Sequence, residues 1–282
     1  MDLGIQGKSV LVTGGSKGIG LASAKSFAAE GCNVHIASRS AAALETARQE
    51  IEKDTGHRAT LHSVDVSIEQ QRQELAPLLQ DIDILVNCAG AIPGGGFDEI
   101  SLNRWQQAWE LKVYGYIEMT RMALAAMKEH GSGVIVNVIG AAGADPKYSY
   151  LCGSVANAAL ITFTKAVGAY SAQIGVAKTA KATASPSGAA AAAGQNAMAS
   201  GIRVVGLNPG PTSTERLISL YRGRAQSQLG DPERWQELLS DLPFGRPAAA
   251  TEIADIVTFL ASKRASYLTG VVIDADGGAM YR

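Results

Sequence analysis

Short aliphatic, β-branched runs alternate along this chain with longer stretches whose apolar positions recur every three or four residues. Ser9 to Val12, Asn33 to Ala37, Ala59 to Val64, Ile82 to Val86, Val134 to Val138, Ile202 to Leu207 and Val271 to Ile273 read as seven strands. Between them, helical periodicity covers Ile19 to Ala29, Ala41 to Lys53, Ile68 to Leu79, Leu102 to His130 and Thr251 to Ala261. Strand and helix in strict alternation imply βαβ units, hence a parallel sheet wound on both faces by helices. No internal repeat and no domain boundary interrupts the series. One segment departs from it. Residues 177 to 201 are almost all Ala, Gly, Ser, Thr and Lys, with Pro186 and five alanines from Ala189 to Ala193. With so few bulky apolar side chains it can bury little surface against its ordering entropy, and it reads as a mobile insertion, or else a partner-binding arm.

Composition narrows the class. The 282 residues carry 25 basic and 26 acidic side chains, a net charge of -1, so bulk charge draws the chain neither to nucleic acid nor to an anionic membrane. The uncharged stretch from Tyr148 to Thr164 is interrupted by Ser149, Gly153, Ser154 and Asn157, which argues against a membrane span. No secretory segment fits ahead of Thr13. Cys32, Cys88 and Cys152 are widely spaced and odd in number, and the four histidines form no ligand cluster. A disulfide framework and a structural metal site are therefore not expected, and the compartment expected is the reducing cytoplasm.

The candidate chemistry begins after the first strand, where Thr13-Gly14-Gly15-Ser16-Lys17-Gly18-Ile19-Gly20 runs into a helix. Glycines allow a sharp turn and close approach of a pyrophosphate, while the helix N-terminus presents free N–H groups. In the first βαβ unit this spacing points to a dinucleotide. The end of the second strand selects which one. An acidic residue there would hold the ribose hydroxyls of NAD. This chain has Ser38-Arg39, with Lys17 nearby, so two cations and no carboxylate favour NADP(H) over NAD(H). The alternative is that Arg39 and Lys17 are solvated surface charges.

With these residues in view, the sequence resembles the short-chain dehydrogenase/reductase family over nearly its whole length. The matching pieces are Thr13-Gly14 through Gly20, Asp65-Val66, Asn87-Cys88-Ala89-Gly90, Asn157-Ala158-Ala159-Leu160, Asn208-Pro209-Gly210-Pro211-Thr212 and Asp276-Gly277-Gly278, in the family's order. The resemblance implies a Rossmann-type α/β fold. It places Asp65 and Val66 at the adenine, Asn87, Ala89 and Gly90 along the cofactor cleft, and Pro209, Gly210 and Thr212 at the nicotinamide end. It also implies a homo-oligomer acting on a small carbonyl or alcohol, with residues 212 to 241 covering the substrate. Arg216, Arg222, Arg224, Glu215 and Glu233 in that cover dictate no single substrate class.

The family's catalytic positions are all replaced. Gly140 stands where its Ser belongs, Gly153 at the Tyr, Asn157 at the Lys and Lys112, seven residues after Trp105, at the Asn. Lys112 and Asn157 thus look like a reciprocal exchange, predicted to meet beside the nicotinamide ribose. The two glycines are expected to leave a roomier pocket, unless they record drift in a decayed site. Tyr150 shares a helical face with Gly153 and Asn157 if Asp145-Pro146 starts the helix. Its phenol could then replace the missing acid, or pack at the cleft rim. Lys112 is the second candidate acid. The reading is an NADP-dependent oxidoreductase with an atypical site. The alternative is an NADP-binding protein of the same fold without redox turnover.

Overall fold

The computed structural model of the chain describes residues 1–183 and 201–281. The bulk of the expected insertion, residues 184–200, lies outside the described residues. The strands are β1 (Ser9–Thr13), β2 (Asn33–Ser38), β3 (Thr60–Ser63), β4 (Ile84–Asn87), β5 (Gly133–Val138) and β6 (Ile202–Pro209), then the two-residue pieces β7 (Thr212–Ser213) and β8 (Ala248–Ala249), and β9 (Val272–Ala275). Seven of them form one parallel sheet in the order β3-β2-β1-β4-β5-β6-β9, while β7 and β8 pair separately. The order reverses between β1 and β4, which pair Val10 with Ile84 and Thr13 with Asn87. In such sheets the crevice beyond the carboxyl ends of the two strands at this reversal is where ligands bind.

Alternation along each strand supplies both faces with apolar side chains. Val10 and Val12 of β1 point to one side with Ile36, Val86, Val136 and Val205, under Phe27 and Val257. Leu11 points to the other with Leu85, Ile135 and Val204, under Met119 and Met127. The helices that cover these faces are α1 (Gly18–Ala29), α2 (Ala41–Thr55), α3 (Glu69–Gln73), α4 (Ala76–Leu79), α5 (Leu102–Trp109), α6 (Gly115–His130), α7 (Leu151–Thr183), α8 (Glu215–Leu229) and α9 (Ala250–Ala261). Within α7, Leu151–Ile174 is long and apolar enough to cross a membrane. Its Cys152, Ala156 and Leu160 are fully covered by protein, and the helix packs on β6.

Three expected helices differ. The pattern from Ile68 to Leu79 divides into α3 and α4 because Pro77 lies in the first turn of α4, where its missing N–H costs nothing. The pattern from Leu102 to His130 is interrupted by a π-turn, Glu110–Tyr114, that carries Lys112. π-turns inside α-helices recur at functional sites. Finally, the helix bearing Asn157 does not start at Asp145-Pro146. It starts at Leu151, because the preceding chain is tied elsewhere: Gly95 N–H donates to Ser149 O (2.8 Å), and Leu151 N–H donates to Gly95 O (3.2 Å). Tyr150 therefore sits just ahead of α7, its carbonyl accepting the Ser154 N–H at 2.8 Å.

Candidate active site

At the β1–α1 turn the backbone is shaped for an anion. Gly14 has φ 71°, and a Cβ there would lie 2.9 Å from the Ala89 backbone. A Cβ on Gly20 would lie 2.2 Å from the Gly14 carbonyl oxygen. Neither position admits a side chain. Ser16 and Lys17 lead into α1, which opens with no side-chain cap and no acidic residue in its first turn. Its first backbone bond is Leu21 N–H to Lys17 O, so the N–H groups of Gly18, Ile19 and Gly20 remain for a ligand. Thr13 Oγ1 holds the turn to β4 by accepting from Cys88 N–H at 3.1 Å.

Other expected contacts line the same edge. The Ser38 hydroxyl is buried with no partner among the described residues, and Arg39 stands exposed next to it. Asp65 Oδ1 accepts from the Ser67 N–H (2.9 Å) and hydroxyl (2.6 Å), while the carbonyl of buried Val66 accepts from Arg72 (2.7 Å). Asn87 is fully buried. It donates to Thr120 Oγ1 (3.2 Å) and Asn137 Oδ1 (2.9 Å), and Asn137 donates to Thr164 Oγ1 (3.0 Å). Of the expected pair of cations, Lys17 has its ammonium 2.7 Å from the Glu215 carboxylate at the start of α8, in an exposed ion pair. Arg39 is then the cation left at the end of β2. A turn that admits no Cβ at Gly14 or Gly20, the N–H groups of Gly18, Ile19 and Gly20, and the orphaned Ser38 hydroxyl together fit a phosphorylated dinucleotide.

Beyond the cradle lies a cavity of ≈ 430 Å³ lined by Ile19, Cys88, Gly90, Ile92, Lys112, Val138 to Ala142, Tyr150, Asn157, Pro209 to Thr212 and the α8 residues Arg216, Leu217, Leu220, Tyr221 and Arg224. Lys112 reaches its wall from the π-turn, its side chain passing 3.2 Å from where a Cβ on Gly90 would stand. It is only 7% exposed, and its Nζ makes three contacts, to Val138 O (2.7 Å), Ile139 O (3.1 Å) and Tyr116 Oη (2.9 Å). Burial pulls its pKa from the usual lysine range down to about 7, helped by the charge of Arg216 and opposed by Cys88. The cage accepts both protonation states. An ammonium donates to all three oxygens, with the Tyr116 hydroxyl turned to Val138 O at 2.9 Å. An amine donates to the two carbonyls and accepts from Tyr116. Sequence reading missed Tyr116, although its i, i+4 spacing from Lys112 was visible.

The two glycines do not enlarge the cavity, contrary to expectation, because neighbours fill the space of the missing side chains. A Cβ on Gly153 would stand 2.1 Å from Cε1 and 2.2 Å from Cζ of Tyr150, so the Tyr150 ring occupies that volume. Its hydroxyl accepts from the Arg216 guanidinium at 3.2 Å. A Cβ on Gly140 would stand 2.8 Å from Nδ2 of Asn157, and Gly140 has φ 137°, a conformation that disfavours any side chain. Asn157 is 4% exposed, and its Oδ1 has no partner among the described residues. Lys112 and Asn157 line one cavity, but no hydrogen bond joins them. Lys112 is held by the end of β5, while Asn157 lies against Gly140.

Comparison with known proteins agrees with this geometry. Residues 8–185 match the family model described as short chain dehydrogenase, and residues 167–280 match one described as enoyl-(acyl carrier protein) reductase. An uncharacterized oxidoreductase, YvrD, of Bacillus subtilis is 30% identical, with 99% of this chain and 98% of the relative covered. The 3-oxoacyl-[acyl-carrier-protein] reductase FabG of Aquifex aeolicus is 29% identical, with 99% of both covered. Among solved structures, L-sorbose reductase from Gluconobacter frateurii complexed with NADPH and L-sorbose superposes with a TM-score of 0.83 at 27% identity, covering 100% of each chain.

Proposed function

The chain belongs to the short-chain dehydrogenase/reductase family, and from that premise we propose that it is an NADPH-dependent carbonyl reductase whose proton donor is Tyr150. The observation that carries this reading is the Tyr150 ring in the volume above Gly153, with its hydroxyl on the wall of the cavity that Lys112 and Asn157 also line. NADPH, when bound, supplies the hydride. The free N–H groups of Gly18, Ile19 and Gly20 would hold its pyrophosphate beside Ser16, with Gly14, whose own N–H is bonded to Ala37 O, giving it room; Ser38 and Arg39 would take the 2′-phosphate, and Asp65 and Val66 would flank the adenine. Ala89 and Gly90, backed by buried Asn87, would line the ribose side, and Pro209, Gly210 and Thr212 would border the nicotinamide. The NADPH complex of the sorbose reductase supports this choice of cofactor.

In the reduction, the Asn157 carboxamide takes the place of the family's serine hydroxyl and orients the substrate oxygen. Tyr150 gives its proton to that oxygen, and the Arg216 guanidinium faces the phenolic oxygen as counter-charge. Lys112, with its protonation poised near neutrality by burial, stands behind Tyr116 as a proton store in a cage that fits amine and ammonium alike. NADPH oxidation with a panel of ketones tests the proposal. Tyr150→Phe should lower kcat by about 100-fold or more, the range for a positioned general acid, with NADPH affinity unchanged. Retention of kcat within about threefold would remove Tyr150 from the chemistry.

A second reading, cofactor binding without turnover, draws on one feature: the three oxygens around Lys112 leave its ammonium no donor for a substrate. Tight NADPH binding with no turnover of any ketone, in wild type and variant alike, would establish it.

A further inference from the structure

The substrate cover is slightly acidic in sequence, with four arginines against five carboxylates, yet the arginines that face the cavity meet none of them. Glu215 is paired with Lys17 at 2.7 Å, and Glu233 with Arg222 at 3.0 Å. Among the described residues Arg216 and Arg224 meet no carboxylate within salt-bridge distance. Arg216 contacts Ile92 O and the Tyr150 hydroxyl, and Arg224 lies 4.9 Å from the ring centre of Tyr221. The two arginines and Leu220 sit at i, i+4 and i+8 of α8 and all border the cavity. The acidic residues on the same wall are otherwise engaged. Asp145 pairs with Lys147 at 2.7 Å, and Asp276 accepts the N–H groups of Gly278 (2.8 Å) and Met280 (3.0 Å).

We infer that the substrate is a small oxo acid, its carboxylate held by Arg216 and its carbonyl beside Tyr150. This rests on the reductase reading above and names the substrate class of that site. Guanidinium and carboxylate match as a two-point fork, a geometry that fixes orientation as well as charge. The spacing limits the substrate. Because Arg216 lies 3.2 Å from the Tyr150 hydroxyl, a carboxylate on this guanidinium sits one or two carbons from a carbonyl that Tyr150 protonates. Arg224, eight residues and just over two turns further on, is roughly 12 Å along the axis from Arg216. It adds positive potential at the mouth without competing for the same carboxylate. The remaining wall (Ile19, Ile92, Leu217, Leu220 and Ile139 among others) is aliphatic and suits an apolar tail.

The test compares phenylglyoxylate with its methyl ester, which keeps the shape and removes the charge. Both are titrated into the NADP+-loaded protein by calorimetry, and turnover with NADPH is followed in parallel. The acid should bind at least tenfold more tightly than the ester in wild type. Arg216→Gln should abolish that difference by weakening the acid alone, while Arg216→Lys restores part of it. Equal affinities in wild type, or an acid-to-ester ratio that survives Arg216→Gln, would overturn the inference. Turnover of the ester with exclusion of the acid would also overturn it, while leaving the reductase reading intact. An Arg216-dependent preference for the acid without turnover of either compound would uphold it and remove the reductase reading instead.

Discussion

Replacing Lys112 by Met should change how stability responds to pH, and the structure gives the slope. In the unfolded chain this amine titrates at the ordinary lysine value of 10.5, whereas burial holds it at about 7 in the fold. Between those values the unfolded state carries a proton that the folded state lacks. Unfolding free energy therefore rises with pH across this window by about 1.4 kcal/mol per pH unit. The gap of 10.5 − 7 pH units corresponds to about 5 kcal/mol, absent below neutrality and fully gained above the unfolded pKa. A methionine fills a similar volume and cannot titrate. Urea denaturation at several pH values measures the stability of both proteins. Wild type should gain on Lys112→Met by about 2 kcal/mol between pH 8 and pH 9.5. Other groups, the raised thiols of Cys32 and Cys88 included, titrate in both proteins, so the difference isolates Lys112. Parallel stability curves would show that the buried amine stays protonated. The amine arm of the Lys112–Tyr116 cage would then fall with it.

Other outcomes follow from single residues. NADPH should bind at least tenfold more tightly than NADH, about 1.4 kcal/mol, and Arg39→Ala should erase most of that preference in calorimetric titrations. Lys17→Ala should affect it little, because Glu215 already holds that ammonium. Gly140→Ser, the family's own residue, should lower the melting temperature by the equivalent of about 1–3 kcal/mol, since φ 137° and the Asn157 amide both oppose a side chain. Gly153→Ala should cut kcat far more than it alters cofactor affinity, because its Cβ must evict the Tyr150 ring. Arg203→Met should cost about 3–5 kcal/mol in denaturant unfolding. The buried Arg203 guanidinium donates to the carbonyls of Leu260, Ala261, Ser262 and Leu268 around the end of α9, and all four would lose a donor.

What the sequence could disclose was set by range. The central strands were legible because they are short runs rich in β-branched and aliphatic residues, and the cradle because its glycines cluster within a few residues of the chain. Lys112, Gly140, Gly153 and Asn157 could be counted out from neighbouring motifs, since helices and strands keep their spacing whatever occupies the position. The start of α7 was not legible. It depends on Gly95, which lies 55 residues before Tyr150 and pairs with it in an isolated bridge. The Asp145-Pro146 signal is local, and the long-range tie overrides it. The pairing of the cover's charges was hidden for the same reason: Lys17 and Glu215, which bond to each other, are 198 residues apart.

The same long-range tie bears on how Gly140 and Gly153 fit beside their neighbours in this cavity. Tyr150 fills the volume above Gly153 from the turn segment ahead of α7, because a tyrosine one turn earlier on a helix would point along the axis and away from that spot. The Gly95 bridge supplies that segment. The glycine at 153 is then required by the tyrosine at 150, since any Cβ there collides with the ring. Gly140 and Asn157 form a second such pair, the φ of one and the amide of the other excluding a serine between them. Random loss would leave holes. Here each missing side chain is answered by a neighbour that brings a hydroxyl or a carboxamide to the same wall. Changing one member of a pair alone should therefore lower stability and kcat, and changing both together should cost less than the sum of the two single changes.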